Sequence, residues 1–345
     1  MITVVIPTIG RPCLRATLAA LGPDVPAVVV DDRPDGAAPL EVPEHVRVVR
    51  TGGRGPAAAR NAGWRATGTP WVAFLDDDVV PGDGWARAAF QDLAGLADDV
   101  AGSQGRIVVP LPRDRRPTDA ERHTAGLAGA NWPTADMAYR RAALERVGGF
   151  DEGFPRAYRE DADLALRMFE AGYRLVKGAR VTVHPVRADG FWSSVRFQRG
   201  NADDARLRRR FGPGWREAIG GGPTRLRRHA LTTALGVTAL ATYALTRLMP
   251  GTAPPRGRAL GAGPAPAPLV GAVPVSRPVS RPVVGAVLGV VAAAGWVGLT
   301  AEFVWARVAP GPRTPREVLR MVVTSVVIPP VACAHRLRGE WRARR

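Results

Sequence analysis

The stretch WVAFLDDD, residues 71–78, decides the fold class because an apolar run ends directly in three carboxylates. Gly68 and Pro70 precede the run, so the pattern predicts a short buried strand. Like charges at a strand end destabilise a fold unless a positive group neutralises them. Mg²⁺ and Mn²⁺ do so through oxygen ligands, from carboxylates and substrate phosphates. The stretch therefore predicts a metal-bound phosphate ester beyond the carboxyl end of a strand in an open α/β sheet.

The N-terminal part of the chain alternates short β-branched runs with Ala- and Arg-rich stretches, a pattern typical of a parallel α/β sheet. Predicted strands are Thr3–Ile6, Ala27–Val30, Val46–Val49, Trp71–Leu75, Arg106–Val109 and Val181–Val183. Predicted helices are Arg11–Leu21, Ala57–Thr67, Gly84–Ala97 and Asp161–Ala171, and Arg113–Thr118 is expected to be a loop. Because Met1 leads straight into a predicted strand, we expect no N-terminal signal peptide and a catalytic part that stays in the cytoplasm.

The net charge of +17 is confined to the C-terminal part of the chain. Residues 206–345 hold 22 arginines and four acidic residues, whereas residues 1–205 hold 26 basic and 27 acidic residues. This asymmetry indicates two parts in different surroundings, with the rear part near an anionic surface. Because the front part is almost neutral, we expect no nucleic-acid partner.

The rear part contains two uncharged apolar segments, each close to the length needed to cross a bilayer. We expect a domain at 1–215, a basic linker at 216–229 and a membrane-associated region at 230–345. Within that region, the expected spans are 230–248 and 283–303, separated by a Pro/Gly-rich linker at 250–282. Pro329-Pro330 interrupts a third apolar segment, 318–334, which is expected to be re-entrant or interfacial. The alternative is that the two longer segments are buried Ala-rich core helices.

Other polar positions allow both a functional and a structural interpretation. The turn from Pro7 to Arg11 follows a strand and could line a nucleotide pocket. Asp31 and Asp32 also end a strand, where they could bind a base or ribose or simply cap a turn. Arg60 could pair with a diphosphate or be a solvated surface charge. Glu160-Asp161 begins a helix, where the acids could complement the helix dipole or supply a general base.

Taken in this order, the motifs resemble those of an inverting family 2 glycosyltransferase with the GT-A fold, an α/β architecture with a Rossmann-like, mostly parallel sheet. The resemblance covers about residues 2–200. Its most specific parts are Phe74–Asp78 with its DXD motif, Asp136–Arg141, Gly148–Asp151 and Glu160-Asp161.

The resemblance implies roles for individual residues. The nucleotide-sugar donor, UDP- or GDP-linked, would be contacted by Pro7, Thr8, Arg11, Asp31, Asp32, Arg60, Asp76 and Asp77. The acceptor side would comprise Gly149, Phe150, Asp151 and Glu160. Asp161 would be the catalytic base, and Asp78, with His184, would bind Mg²⁺ or Mn²⁺.

The chain departs from processive members of the family, which carry a Q-x-x-R-W signature, because Gln198 is followed by RGNA. Transfer of one sugar to a glycan or lipid-linked acceptor at the plasma membrane is therefore the expected function. A sugar nucleotidyltransferase is the alternative within this fold, although only Arg11 follows the first strand to hold a triphosphate. A non-catalytic membrane scaffold that retains the fold is a third interpretation.

Overall fold

The computed structural model describes residues 1–35, 38–186, 190–248 and 281–344. Within these ranges, eight strands form one sheet in the order β3-β2-β1-β4-β7-β6-β8-β5. The strands are β1 (Ile2–Thr8), β2 (Ala27–Asp31), β3 (Arg47–Arg50), β4 (Trp71–Leu75), β5 (Val80–Pro81), β6 (Val100–Val108), β7 (Asp136–Arg140) and β8 (Arg174–Val183). Strands β1 to β4 are mutually parallel, as are β6 and β8, whereas β7 and β5 run antiparallel to their neighbours. The expected α/β fold with a mostly parallel sheet is confirmed.

Helices cover both faces of the sheet. They are α1 (Leu14–Leu21), α2 (Pro56–Arg65), α3 (Trp85–Leu93), α4 (Asp119–Ala125), α5 (Arg141–Val147), α6 (Glu160–Glu170), α7 (Ser193–Arg196), α8 (Gly200–Phe211), α9 (Trp215–Ala218), α10 (Leu226–Leu248), α11 (Arg281–Val308) and α12 (Pro315–Arg342). Strand β4 shows why helices pack on both faces, since its alternate side chains belong to two separate hydrophobic clusters, one on each face of the sheet. Trp71, Ala73 and Leu75 pack with α1 and α3, whereas Val72 and Phe74 pack with α2, α5 and α6.

The sheet is more extensive around β6, β7 and β8 than the sequence pattern predicts. Strand β6 contains Ser103 and Gln104, polar residues that weaken a strand signal, and both are buried. Their polar groups are satisfied inside the fold: Arg180 donates to Ser103, and Gln104 bonds Ala130 and Trp132. These partners come from distant parts of the chain, so the local sequence does not indicate them.

The region expected to be a basic linker, 216–229, is folded at both ends. Helix α9 includes residues 216–218, and α10 begins at Leu226. Trp215 and Ile219 are buried against Leu207 of α8, so this core continues past residue 215. The predicted Pro/Gly-rich linker, 250–282, lies outside the described residues apart from the first two residues of α11.

The two prolines of the third apolar segment do not interrupt it, contrary to the expectation of a break at Pro329-Pro330. Helix α12 continues from Pro315 to Arg342 through both prolines. A proline inside a helix costs about 3 kcal/mol because it lacks an N–H group. Contacts on both sides of the prolines offset this cost: Arg320 donates to Ser193 at 2.5 Å, and Gly339 packs on α8.

The last two helices meet the N-terminal fold through a buried arginine. Arg307, near the end of α11, donates to Asp119 of α4 at 2.8 Å and to Thr324 of α12 at 2.8 Å. Glu317 of α12 accepts a hydrogen bond from the Asp119 backbone N–H. Helix α4 therefore holds the corner between α11 and α12.

Two helices in the described ranges are long and apolar enough to cross a membrane, Val284–Val308 and Pro315–Arg342. Helix α10, which contains the expected first span, does not meet the same criterion. Several of its threonine hydroxyls donate hydrogen bonds to backbone carbonyls of the preceding turn. Thr232 donates to Arg228 in this way, and Thr242 to Thr238.

Gly339 brings α12 into direct contact with α8. A Cβ atom at this position would lie 2.5 Å from the Ala202 carbonyl oxygen and 2.6 Å from its Cα. Because these are backbone atoms of a helix, they cannot move aside at low cost.

We predict that Gly339→Ala lowers the stability of the protein by about 1–3 kcal/mol through overpacking against α8. Gly298→Ala is the matched control, because a Cβ at this helical glycine of α11 meets nothing within 4 Å. Thermal unfolding of the detergent-solubilised chain measures the effect. Equal midpoints for the two variants would contradict the close packing.

Candidate functional site

Most of the expected site residues lie in one cleft, because the parallel strands β1, β2 and β4 all end at the same edge of the sheet. The cleft has a volume of about 460 Å³. Its lining includes nine of the expected residues: Pro7, Thr8, Arg11, Asp32, Arg60, Asp76, Asp77, Asp78 and His184. Asp31, Gly149, Phe150, Asp151, Glu160 and Asp161 are not part of this lining.

Asp77 is held by the first strand and the turn that follows it. Its carboxylate accepts hydrogen bonds from Thr8 Oγ1 at 2.6 Å and from Arg11 at 2.9 Å. Thr17, a buried residue of α1, donates to the Val79 carbonyl at 2.6 Å and so fixes the backbone just after the three acids. The first strand and α1 therefore set the direction in which Asp76 and Asp78 project.

Asp31 and Asp32 are both buried, but only Asp32 reaches the cleft. Arg33 donates to both oxygens of Asp31 at 2.8 Å, and these hydrogen bonds hold the pKa of Asp31 below its ordinary value. Asp32 accepts from the backbone N–H groups of Arg54 and Gly55, both at 2.9 Å. Asp32 thus ties the end of β2 to the start of α2.

Arg60 connects the strand-end acids to the acids of α6. Only 2% of this residue is exposed, and it donates to Glu160 at 2.6 Å and to Asp76 at 2.8 Å. Burial raises the pKa of Glu160 to about 7, and the neighbouring Asp161 carboxylate adds to the rise, whereas Arg60 opposes it. Arg60 therefore shares its positive charge between the two acidic segments.

Asp161 follows Glu160 in the first turn of α6 and is half-buried. One of its oxygens accepts a hydrogen bond from the Ala162 backbone N–H at 2.7 Å. Burial raises the pKa of Asp161, and the nearby Asp76 carboxylate acts in the same direction, whereas Arg159 and Arg60 oppose the rise. A carboxylate with a raised pKa accepts protons more readily, as a general base requires.

Arg159 sets the backbone just before the two acids, and the sequence pattern does not reveal this role. Its φ is +74°, a left-handed conformation that is costly for a residue with a side chain. The side chain compensates by donating to Asp204 at 2.8 Å and by lying 5.1 Å from the Trp215 ring centre. Helices α8 and α9 thereby support the start of α6.

The glycine-rich turn before α6 is anchored to α2 by Asn61. The Asn61 side chain accepts from the Phe150 N–H and donates to the Phe150 carbonyl, both at 2.8 Å. Gly149 has a φ of +73°, and a Cβ there would lie 2.4 Å from Asn61 Oδ1. Asp151 instead pairs with Arg206 of α8 at 2.7 Å. Gly149 and Phe150 therefore fix the conformation of the turn that carries Asp151.

Asp78 and His184 form the part of the cleft that could hold a divalent cation. His184 Nε2 lies 3.6 Å from an Asp78 oxygen, while its Nδ1 lies 3.1 Å from the Pro185 carbonyl. A hydrogen bond from Nδ1–H to this carbonyl leaves Nε2 free to bind a metal, the usual arrangement for a histidine ligand. In the described residues, no three His, Cys, Asp or Glu side chains form a metal site. The pair therefore fits Mg²⁺ or Mn²⁺ if diphosphate oxygens complete the coordination.

Comparisons with known proteins find similarity to glycosyltransferases. Residues 3–166 match the family model for glycosyl transferase family 2. The pre-mycofactocin glycosyltransferase of Mycobacterium tuberculosis is 32% identical over 196 residues, which cover 50% of this chain and 40% of that protein. The mannosyltransferase PcManGT of Pyrobaculum calidifontis, solved with GDP-Man and Mn²⁺, superposes with a TM-score of 0.50. It is 20% identical, and the match covers 97% of this chain and 86% of that chain.

The fold is thus the GT-A fold, and residues 3–166 resemble a domain of glycosyltransferase family 2.

We predict that Arg60→Met destabilises the fold by about 3–5 kcal/mol, because it leaves Glu160 and Asp76 without their buried cation. Urea unfolding monitored by tryptophan fluorescence measures the loss. Arg65→Met is the matched control on the same helix, since Arg65 is exposed and its substitution should change stability by less than about 1 kcal/mol. Similar losses for both variants would contradict the central role of Arg60.

Proposed function

We propose that this protein transfers one sugar from a nucleotide-sugar donor to a hydroxyl acceptor, with inversion at the anomeric carbon. The observation that carries the proposal is the Arg60 bridge, which joins the strand-end acids of the cleft to the Glu160-Asp161 pair. A donor-binding cleft and a candidate base thereby belong to one charged network. The donor's nucleotide is UDP or GDP, and the cation is Mg²⁺ or Mn²⁺.

Different residues act on the two sides of the transferred sugar, the attacking hydroxyl on one side and the departing diphosphate on the other. Asp161 takes the proton from the attacking hydroxyl, and its raised pKa suits that role. Asp78 and His184 hold the divalent cation, which when bound stabilises negative charge on the departing diphosphate. Arg60 acts through Asp76 and Glu160 and is a positioning residue. A single displacement inverts the configuration and requires no covalent intermediate.

The similar proteins support a nucleotide-sugar donor and a divalent cation. The curated relative is a glycosyltransferase, although the match spans 40% of its length, and the solved neighbour carries GDP-Man and Mn²⁺. A nucleotidyltransferase would need basic groups for a triphosphate after β1. Arg11 is the candidate there, and it is engaged by Asp77.

The C-terminal helices support an acceptor at a membrane, in cell-envelope or lipid-linked glycan synthesis. Helix α11 is apolar, and its outward side chains include Val290, Val291 and Trp305. Helix α12 contacts the N-terminal fold near both ends, through Glu317 and through Gly339. A helix held in this way lies along the domain, so α12 belongs at the membrane interface rather than across it. We place the protein at the plasma membrane with the cleft on the cytoplasmic side.

We predict that Asp161→Asn lowers turnover by about 10²–10⁴-fold, the usual contribution of a positioned base, with donor binding nearly intact. Release of nucleoside diphosphate from a panel of nucleotide sugars, with detergent-solubilised protein, measures turnover. Glu170→Gln, an exposed change on the same helix, should leave turnover unchanged. Normal turnover in Asp161→Asn would remove this residue from the role, and release of pyrophosphate would indicate nucleotidyl transfer.

We predict that Asp78→Ala abolishes the part of donor binding that depends on Mg²⁺ or Mn²⁺, because the cation loses its carboxylate ligand. Calorimetric titration with a nucleotide sugar, with and without the metal, measures this part. Asp83→Ala, an exposed acid five residues further along the chain, should behave like the wild type. An unchanged metal-dependent affinity in Asp78→Ala would show that the cation binds elsewhere.

A further inference from the structure

A second large groove lies beside the cleft, between α8 and the last two turns of α12. Its volume is about 1160 Å³. The contact of Gly339 with Ala202 and Ala205 closes the groove at its base, so both walls are helices held at a fixed distance. The turn that carries Gly153, Pro155 and Arg156 forms a third side.

The groove is strongly basic, and some of its arginines have no acidic partner among the described residues. Asp203 is the one acid among its lining residues, and Arg156 pairs with it at 2.5 Å. Arg206 and Arg210 pair with Asp151 outside the groove. The structure gives no carboxylate partner, within its described ranges, to four further lining arginines: Arg199, Arg209, Arg338 and Arg342. Arginines left unpaired on facing walls form a site for a multiply charged anion.

Arg156 connects this groove to the catalytic cleft, because it lines both. Its guanidinium donates to Asp203 and to the Arg199 carbonyl, so its position is fixed from the groove side. An anion bound in the groove would therefore lie next to the side of the cleft that Arg156 and Ala157 line.

The outer surface of α12 indicates where such an anion would come from. Beside Arg338 and Arg342, the apolar side chains of Leu337 and Trp341 are 70% and 54% exposed. Tryptophan and arginine together at a protein surface are typical of contact with the headgroup region of a bilayer. A ligand with a phosphate at the membrane surface matches both features.

We propose that the groove between α8 and α12 binds the phosphoryl group of a phosphate ester, and that this group belongs to the acceptor. The part that concerns the acceptor rests on the function proposed above. The binding itself depends only on Arg199, Arg209, Arg338 and Arg342. The phosphoryl group can belong to a lipid or to a soluble ester, and the two sources are separable by experiment.

The test uses the chain of residues 1–345 in phosphatidylcholine nanodiscs, with and without phosphatidic acid, and titration with inorganic pyrophosphate. All measurements contain EDTA, which removes the cation that a diphosphate would need in the cleft. Arg209→Ala and Arg338→Ala are expected to weaken binding by about tenfold each, the loss of one charge-assisted hydrogen bond. Their matched controls are Arg208→Ala on α8 and Arg316→Ala on α12, which are exposed and outside the groove and should bind like the wild type.

Each outcome decides a separate point. A preference for phosphatidic acid over pyrophosphate assigns a lipid source, and equal or tighter binding of pyrophosphate assigns a soluble one. If groove and control variants lose binding equally, or if the wild type binds neither probe, the groove is not a phosphate site. Nucleotide release from donor sugars is measured on the same protein preparations with Mn²⁺ in place of EDTA: normal release without groove binding overturns this inference alone, and groove binding without release overturns the proposed function alone.

Discussion

A buried arginine shared by two acidic segments is the constraint on which the candidate site depends. Removing Arg60 from water is costly, and Glu160 and Asp76 repay this cost only if both lie within hydrogen-bond distance. The requirement fixes α2 against the end of β4 on one side and against the start of α6 on the other. Asn61, the next residue of α2, holds the turn before α6 in the same way. Two successive residues of one helix thus set the position of the candidate base relative to the strand-end acids.

The layout of the cleft could be predicted from the sequence because it follows from strand direction. Parallel strands end at one edge, so acids after β2 and β4 had to come close to the turn after β1. The partners of these acids could not be predicted in the same way. Asp31 accepts a hydrogen bond from Arg33, and Asp77 accepts one from Thr8. Side-chain geometry sets both pairings. Pattern alone does not distinguish an acid that faces a ligand from one that holds the fold.

Positions that depend on distant contacts were the least predictable. Strand β7 begins with Asp136, which is fully buried, and an acid at that point argues against a strand. The structure accommodates it because Trp85, Arg180 and Thr182 all donate to its carboxylate. The left-handed backbone of Arg159 and the unbroken helix α12 are also stabilised by residues that are distant in sequence. Arg159 donates to Asp204 of α8, and Arg320 of α12 donates to Ser193 of α7.

The attachment of α11 and α12 to the N-terminal fold bears on how the chain folds. Arg307, Arg320 and Gly339 meet α4, the segment before α7 and α8, all of which precede α10 in the chain. These surfaces are synthesised well before α11 and α12, so the Asp119 carboxylate and the face of α8 at Ala202 lack their native partners until those two helices are made. The N-terminal fold therefore reaches its final packing only after α11 and α12 have been synthesised, so the order of the helices along the chain sets a late step in maturation.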